Sequence, residues 1–103
     1  MEYNCCMHVI SVKTLRHYWE RHADVQDALS SWYDFVRKIS WTNPVDIKKD
    51  FPSASILSDN RVVFNIKGNQ YRLVARLNYA THSIYIRFMG THSEYERIDA
   101  SKV

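Results

Sequence analysis

Apolar positions along this chain keep two different periods, and the change from one to the other divides the sequence into a helical half and a strand half. The opening run Met7-His8-Val9-Ile10-Ser11 is short, partly β-branched and apolar, which predicts a strand. Ser11 is then placed to cap a helix reaching about His22, in which Leu15, Tyr18, Trp19 and His22 step at helical intervals. Asp24 is the expected cap of a second helix, Val25 to Ile39. There Val25, Ala28, Leu29, Trp32, Phe35, Val36 and Ile39 form one stripe, while Asp27, Ser31, Asp34 and Lys38 mostly turn outward. So short a connection predicts an antiparallel helical hairpin. Between Ser40 and Ser55 the pairs Asn43-Pro44 and Phe51-Pro52 break regular structure, leaving room for one helical turn from Asp46 to Asp50.

From there to Gly90 the pattern has a period of two. Gly68-Asn69 places glycine at the first loop position, which predicts a type II′ hairpin with Lys67 facing Gln70. Counting outward pairs Asn65 with Arg72, Val63 with Val74 and Arg61 with Arg76. A second turn over residues 80–83 pairs Tyr79 with Ile84, Leu77 with Ile86 and Arg76 with Arg87. In these registers Val62, Phe64, Ile66, Tyr71, Leu73, Ala75, Leu77, Ile84, Ile86 and Phe88 share the face that packs on the helices. The opposite face collects Arg61, Asn65, Lys67, Arg72, Arg76, Tyr85 and Arg87, with Arg61, Arg76 and Arg87 in one row across three strands. Tyr85 and Met89 on that face either stack on bases or pack against the loop. Thr91 followed by Glu94 is a capping box, so His92 and Tyr95 lie on one face of a short final helix.

A chain of 103 residues, 46% hydrophobic, closes one core and no more. We read residues 7–103 as the single domain and residues 1–6 as an extension before the first regular segment. Cys5 and Cys6 are adjacent, which suits neither a metal site nor a disulfide framework, and points to a reducing compartment. With no basic leader before an apolar stretch and no apolar run near the length of a membrane span, the expectation is a cytoplasmic protein without a membrane partner.

Charge changes the picture more than composition does. The net charge is only +3, yet no acidic residue falls from Asn60 through Ser93, where Arg61, Lys67, Arg72, Arg76 and Arg87 all lie. Like charges standing side by side on a sheet repel unless an anion covers them, and a phosphate backbone would serve. A solvated sheet surface explains isolated arginines; five bases with no acidic partner favour an anionic ligand.

His92 gains meaning from its context: it follows the strand bearing Arg87 and opens a helix, where the dipole favours phosphate. With Tyr95 on the same face, an acid/base group, a hydroxyl and several arginines converge on one phosphate. Such a set can cleave a phosphodiester without a metal or cofactor. A base takes the ribose 2′-hydroxyl proton, arginines stabilise charge at phosphorus, and an acid protonates the leaving oxygen. His8, His17, His22 and His82 form no Cys/His spacing typical of zinc and read as structural or solvated. Trp19 and Trp32 read as core, Trp41 as either packing or contacting a partner, and Lys48 and Lys49 as a solvated turn.

The runs RVVFNIKGNQYRLVARLNY and IYIRFMGTHSEYERID, with HVISVKTLRHYWERHADVQDALSSWY and WTNPVDIKKDFPSAS upstream, resemble the HigB-type toxins of bacterial type II toxin–antitoxin systems, from Met7 to Asp99. The resemblance implies an α+β fold like that of RelE: an N-terminal helical hairpin packed on a small, mainly antiparallel sheet, a basic cleft on its far side and a short C-terminal helix. It implies an endoribonuclease that cuts mRNA, usually on the ribosome, and is restrained by a HigA-like helix-turn-helix antitoxin. Carried over by position, the functional residues are Arg72, Arg76, Arg87, His92 and Tyr95, with Arg61 and Lys67 added for RNA binding. The family often has Asp after the final Tyr; Glu96 keeps a carboxylate there. Two rival functions remain open: a non-catalytic RNA- or ribosome-binding module, and a toxin poisoning a protein such as gyrase, as ParE relatives do, which leaves the His/Tyr helix unexplained.

Overall fold

A computed structural model of the chain describes residues 7–103; the expected extension over residues 1–6, with Cys5 and Cys6, lies outside the described residues. Strand β1 (His8–Ile10) leads into helix α1 (Val12–Arg21), a 3-10 turn (Ala23–Val25) and helix α2 (Gln26–Val36). The hairpin of helices is therefore as the apolar spacing predicts, with Leu15, Leu29, Trp32 and Val36 buried beneath it. Its joint differs from expectation. Asp24 does not cap α2: it lies inside the 3-10 turn, where its carboxylate accepts from the Tyr71 hydroxyl at 2.7 Å.

Helix α3 (Pro44–Asp50) is longer than the single turn expected, because Asn43 supplies an N-cap to the Asp46 amide and Pro44 takes the first helical position, where a missing N–H costs nothing. Trp41 is packing, not surface: it is 1% exposed, donates Nε1–H to Asp50 Oδ2 at 2.9 Å and stacks on Phe64. Phe64 also meets Trp32 and Phe51 edge-on, at 5.3 and 5.2 Å between centroids. Truncating a phenylalanine at such a junction costs about 3–5 kcal/mol.

The second half forms strands β2 (Ser55–Ile56), β3 (Arg61–Ile66), β4 (Tyr71–Asn78) and β5 (Ser83–Thr91), followed by helix α4 (His92–Tyr95). The sheet order is β1-β5-β4-β3-β2, with β1 parallel to β5 and the other pairs antiparallel. The β3–β4 register is the predicted one, Arg61 opposite Arg76 and Asn65 opposite Arg72. Gly68 takes φ +65°, as the turn requires, and Lys67 joins it at φ 54°.

The β4–β5 register is not the predicted one. Arg76 faces Tyr85 and Leu77 faces Ile84, and between the pairs Ala75–Ile86 and Val74–Phe88 the residue Arg87 bulges out unpaired. An extra residue inverts the alternation beyond it. Met89 consequently packs into the main core with Ile84 and Ile86, while Phe88 turns to the far face, the reverse of expectation. There Phe88 joins a second, smaller cluster of Val63, Val74 and Ala100, with Leu57, Tyr95, Ile98 and Val103 against it. The segment after α4 thus covers the middle of the sheet face that the sequence presents as open and basic.

Candidate catalytic cluster and nucleic-acid interface

The first turn of α4 is fixed on all sides. Thr91 Oγ1 accepts from the Glu94 amide at 3.1 Å and Glu94 Oε1 accepts from the Thr91 amide at 2.8 Å, the predicted capping box. The His92 amide donates to the Gln70 carbonyl at 3.0 Å, tying α4 to the β3–β4 loop. Gly90 sits just before, opposite Arg72 on β4, and a Cβ there would come within 2.7 Å of the Phe88 ring and 2.8 Å of Glu94 Oε1. Close approach, not backbone conformation, explains this glycine.

These constraints bring His92, Arg72 and Tyr95 together. Arg72 Nη2 lies 3.3 Å from His92 Nδ1, and its guanidinium carbon lies 6.0 Å from the centroid of the Tyr95 ring. Arg72 Nη1 donates to the carbonyls of Asn69 at 3.0 Å and Tyr71 at 3.2 Å, so the side chain is oriented from the backbone. On the other side of the imidazole, Nε2 stands 2.8 Å from Glu96 Oε2. His92 and Glu96 side chains remain 47% and 66% exposed, so the cluster is open to a ligand. Glu96 is the member that sequence reading leaves without a role. Its signal is the spacing of four from His92 on one helix face.

Arg76 and Arg87 do not join that cluster. Arg76 stands four residues along β4 from Arg72, about 13 Å at the rise of an extended strand. The two line a separate concavity of about 610 Å³ with Asn60, Leu77, Asn78, Tyr79, Ala80 and Tyr85. Arg76 Nη2 donates to Asp59 Oδ1 at 3.1 Å, and Arg87 Nε donates to the Val103 carbonyl at 3.3 Å. The expected row of Arg61, Arg76 and Arg87 is therefore interrupted by register and bulge, and the arginines do not converge on one phosphate.

Arg61 and Lys67 are placed differently from expectation as well. Arg61 is 7% exposed; Nη1 donates to Asp59 at 2.8 Å, and Nε and Nη2 both donate to the Val103 carbonyl. Asp59 and Asn60 take φ 59° and 60° in the β2–β3 turn, a conformation that Asp and Asn tolerate, and this sets the Asp59 carboxylate between Arg61 and Arg76. The hydrogen bond from Arg61, then the charge of Arg76, hold Asp59 below the usual carboxylate range. The anion demanded by adjacent arginines is thus internal. Lys67 points to the helix side and meets Asp24 at 3.4 Å.

Of the other basic and histidine positions, Lys48 Nζ donates to the carbonyls of Pro52 and Ala54 and closes its own loop, His22 stacks on Tyr18, and His82 pairs with Ser40 Oγ. Among the described residues no three His, Cys, Asp or Glu side chains gather as a metal-binding set, and no helix is long and apolar enough to cross a membrane.

The family described as HigB toxin, RelE-like toxic component of a toxin–antitoxin system, matches residues 14–98. A relative in Escherichia coli carrying the name mRNA interferase toxin HigB is 32% identical over 92 residues, covering 87% of this chain and 88% of its own length. An mRNA interferase HigB of Shigella flexneri gives the same figures of 32%, 87% and 88%. A more distant Escherichia coli protein of that name is 21% identical over 94 residues, 89% of this chain and 91% of the relative.

Proposed function

The chain belongs to the HigB toxin family, the RelE-like toxic components of toxin–antitoxin systems, and on that premise we propose that it is an mRNA-cleaving endoribonuclease whose reacting centre is the cluster His92, Arg72, Glu96 and Tyr95. One observation carries this assignment: the two ring nitrogens of His92 are engaged on opposite sides, Nδ1 by Arg72 and Nε2 by Glu96. A guanidinium only donates and a carboxylate only accepts, so the neutral ring carries its proton on Nε2 and keeps a lone pair on Nδ1. That lone pair faces the cation that a phosphate would approach.

When the RNA phosphate takes Arg72, Nδ1 is released to accept the ribose 2′-hydroxyl proton, while Glu96 steadies the imidazolium that forms. The 2′-oxygen then attacks phosphorus as the bond to the 5′-oxygen breaks, leaving a 2′,3′-cyclic phosphate and a 5′-hydroxyl end whose oxygen takes its proton from solvent water; Arg72 stabilises the charge that develops on the equatorial oxygens. The Tyr95 ring under the guanidinium keeps that charge in place. No step uses a metal or a cofactor. Arg76 and Arg87, at the other end of the face, act in holding RNA. The partners that follow are mRNA, the translating ribosome as the place where it is met, and a HigA-like helix-turn-helix antitoxin, all in the cytoplasm.

The test is to purify wild type and His92→Ala, match their melting behaviour, and follow binding and cleavage of mRNA, free and on programmed ribosomes. We expect cleavage to fall roughly 10²–10⁴-fold, the usual worth of a positioned proton-transfer group, with binding nearly unchanged. Equal cleavage by the variant removes His92 from the reaction. Wild type that binds and never cuts leaves a non-catalytic RNA-binding module.

A further inference from the structure

The concavity at Arg76, Arg87 and Tyr85 lies on the side of the sheet away from the helical hairpin, about 13 Å along β4 from the Arg72 that serves His92. The reacting cluster therefore leaves it without a task. Its lining holds two guanidinium groups, the two tyrosine rings of Tyr79 and Tyr85 and two carboxamides, and no acidic side chain. Its volume of about 610 Å³ is that of a small-molecule site, ample for one nucleotide. Tyr85 is 37% exposed although it sits on a central strand, with Arg76 directly opposite it. The β-bulge keeps Arg87 on the same rim, where it is exposed. The walls are fixed: the Leu77 amide donates to the Asn60 carbonyl at 2.9 Å, and Asn78 Oδ1 accepts from the Thr81 amide at 3.1 Å.

We propose that this concavity is a nucleotide subsite, which takes the base of a nucleotide flanking the cleaved bond against Tyr85 and its phosphate on Arg76 and Arg87. The proposal deepens the ribonuclease reading and rests on it for the identity of the ligand. An exposed ring sharing a concavity with guanidinium groups is the combination that single-stranded nucleic acid uses, stacking for the base and cations for the backbone. Asp59, held against Arg76, sits at the edge and tempers the positive potential, so stacking rather than charge carries most of the affinity here. The subsite orients RNA across the face so that the scissile phosphate falls at Arg72 and His92. It is a positioning device that does not touch the reacting atoms.

The experiment measures fluorescence anisotropy of a single-stranded RNA fully methylated at its 2′-oxygens, which cannot be cut by 2′-hydroxyl attack. Wild type, Tyr85→Ala and Tyr85→Phe are compared on a long oligonucleotide and on an abasic oligomer of the same length, which keeps the phosphates and offers no base to stack. Tyr85→Ala should bind the long RNA about 10-fold more weakly, Tyr85→Phe should restore affinity, and the abasic oligomer should not distinguish the three. In mRNA cleavage Tyr85→Ala should raise KM more than it lowers kcat. Unchanged affinity of Tyr85→Ala for the long RNA overturns the subsite, and so does an equal loss on the abasic oligomer. Wild type that binds but never cuts overturns the ribonuclease reading alone, because the binding comparison still decides the subsite.

Discussion

Glu96 reaches His92 Nε2 at 2.8 Å, and that contact decides which ring nitrogen is free to accept a proton. A glutamine at this position presents an amide that can donate as well as accept, so it no longer dictates the tautomer and brings no charge to steady an imidazolium. Glu96→Gln should therefore lower cleavage, by less than the roughly 10²–10⁴-fold expected on removing the imidazole itself, with unchanged RNA affinity, as single-turnover rates and a binding titration will show. Cleavage at the wild-type rate would make the contact a surface pair and no more. The candidates His92, Tyr95 and Arg72 are legible in the sequence because a capping box and a tight hairpin are local devices, each readable within a few residues. Arg61 is not. Its acidic partner Asp59 lies just outside the acid-free stretch that begins at Asn60, and its other partner, the Val103 carbonyl, is 42 residues away in the chain. A contact of that range leaves no periodic trace.

The same distinction holds for the elements. The β3–β4 register follows from one glycine turn, whereas the β4–β5 register depends on a bulge at Arg87 that changes no residue type and so leaves no mark in the alternation. One inserted residue exchanges the faces of Phe88 and Met89 and recruits the C-terminal segment onto the far side of the sheet. The joint between the helices and the sheet is a further long-range device: Asp24 of the 3-10 turn accepts from Tyr71 of β4 at 2.7 Å. That hydrogen bond, first among its causes, lowers Asp24 below its ordinary 3.8 and pushes Tyr71 from 10 up to about 12. Both shifts favour the pair of a charged carboxylate and a neutral phenol. The carboxylate's contribution is present above 3.8 and lost as pH falls through the lowered value. The phenol's is present below 10 and lost as pH rises through about 12. Tyr71→Phe should accordingly melt below wild type at neutral pH, with the gap between the two narrowing as acid protonates Asp24. A gap independent of pH through the acid range would assign the loss to packing of the ring instead.

Across the whole molecule charge is mixed on both sides of the sheet: the helical half sets Glu20, Asp24, Asp27, Asp34, Asp46 and Asp50 among its bases, and the far side sets Asp59, Glu96 and Asp99 among Arg61, Arg72, Arg76 and Arg87. A net charge of +3 is too small to draw RNA by itself, so association depends on which of these arginines are free to meet phosphate. The five basic positions singled out by sequence are therefore unequal. Arg61 is 7% exposed and its guanidinium is occupied by Asp59 and Val103, and Lys67 meets Asp24 on the wrong side of the sheet. Arg87, exposed on the rim, holds one carbonyl at 3.3 Å and can exchange it for phosphate. Each cation that meets a phosphate of single-stranded RNA adds about 0.7 to the slope of log affinity against log salt. Arg87→Ala should lower that slope by about one such step. Arg61→Ala should leave the slope where it is and instead destabilise the fold by about 1–3 kcal/mol, because the Val103 carbonyl loses two of its three donors, and Asp59 one of its two arginines, at a nearly buried site. Titrations of an uncleavable RNA at several salt concentrations, alongside urea unfolding of the same proteins, separate the two effects. A lowered slope for Arg61→Ala with full stability would mean that the C-terminal segment swings off the sheet and that the far face meets RNA as one continuous basic surface.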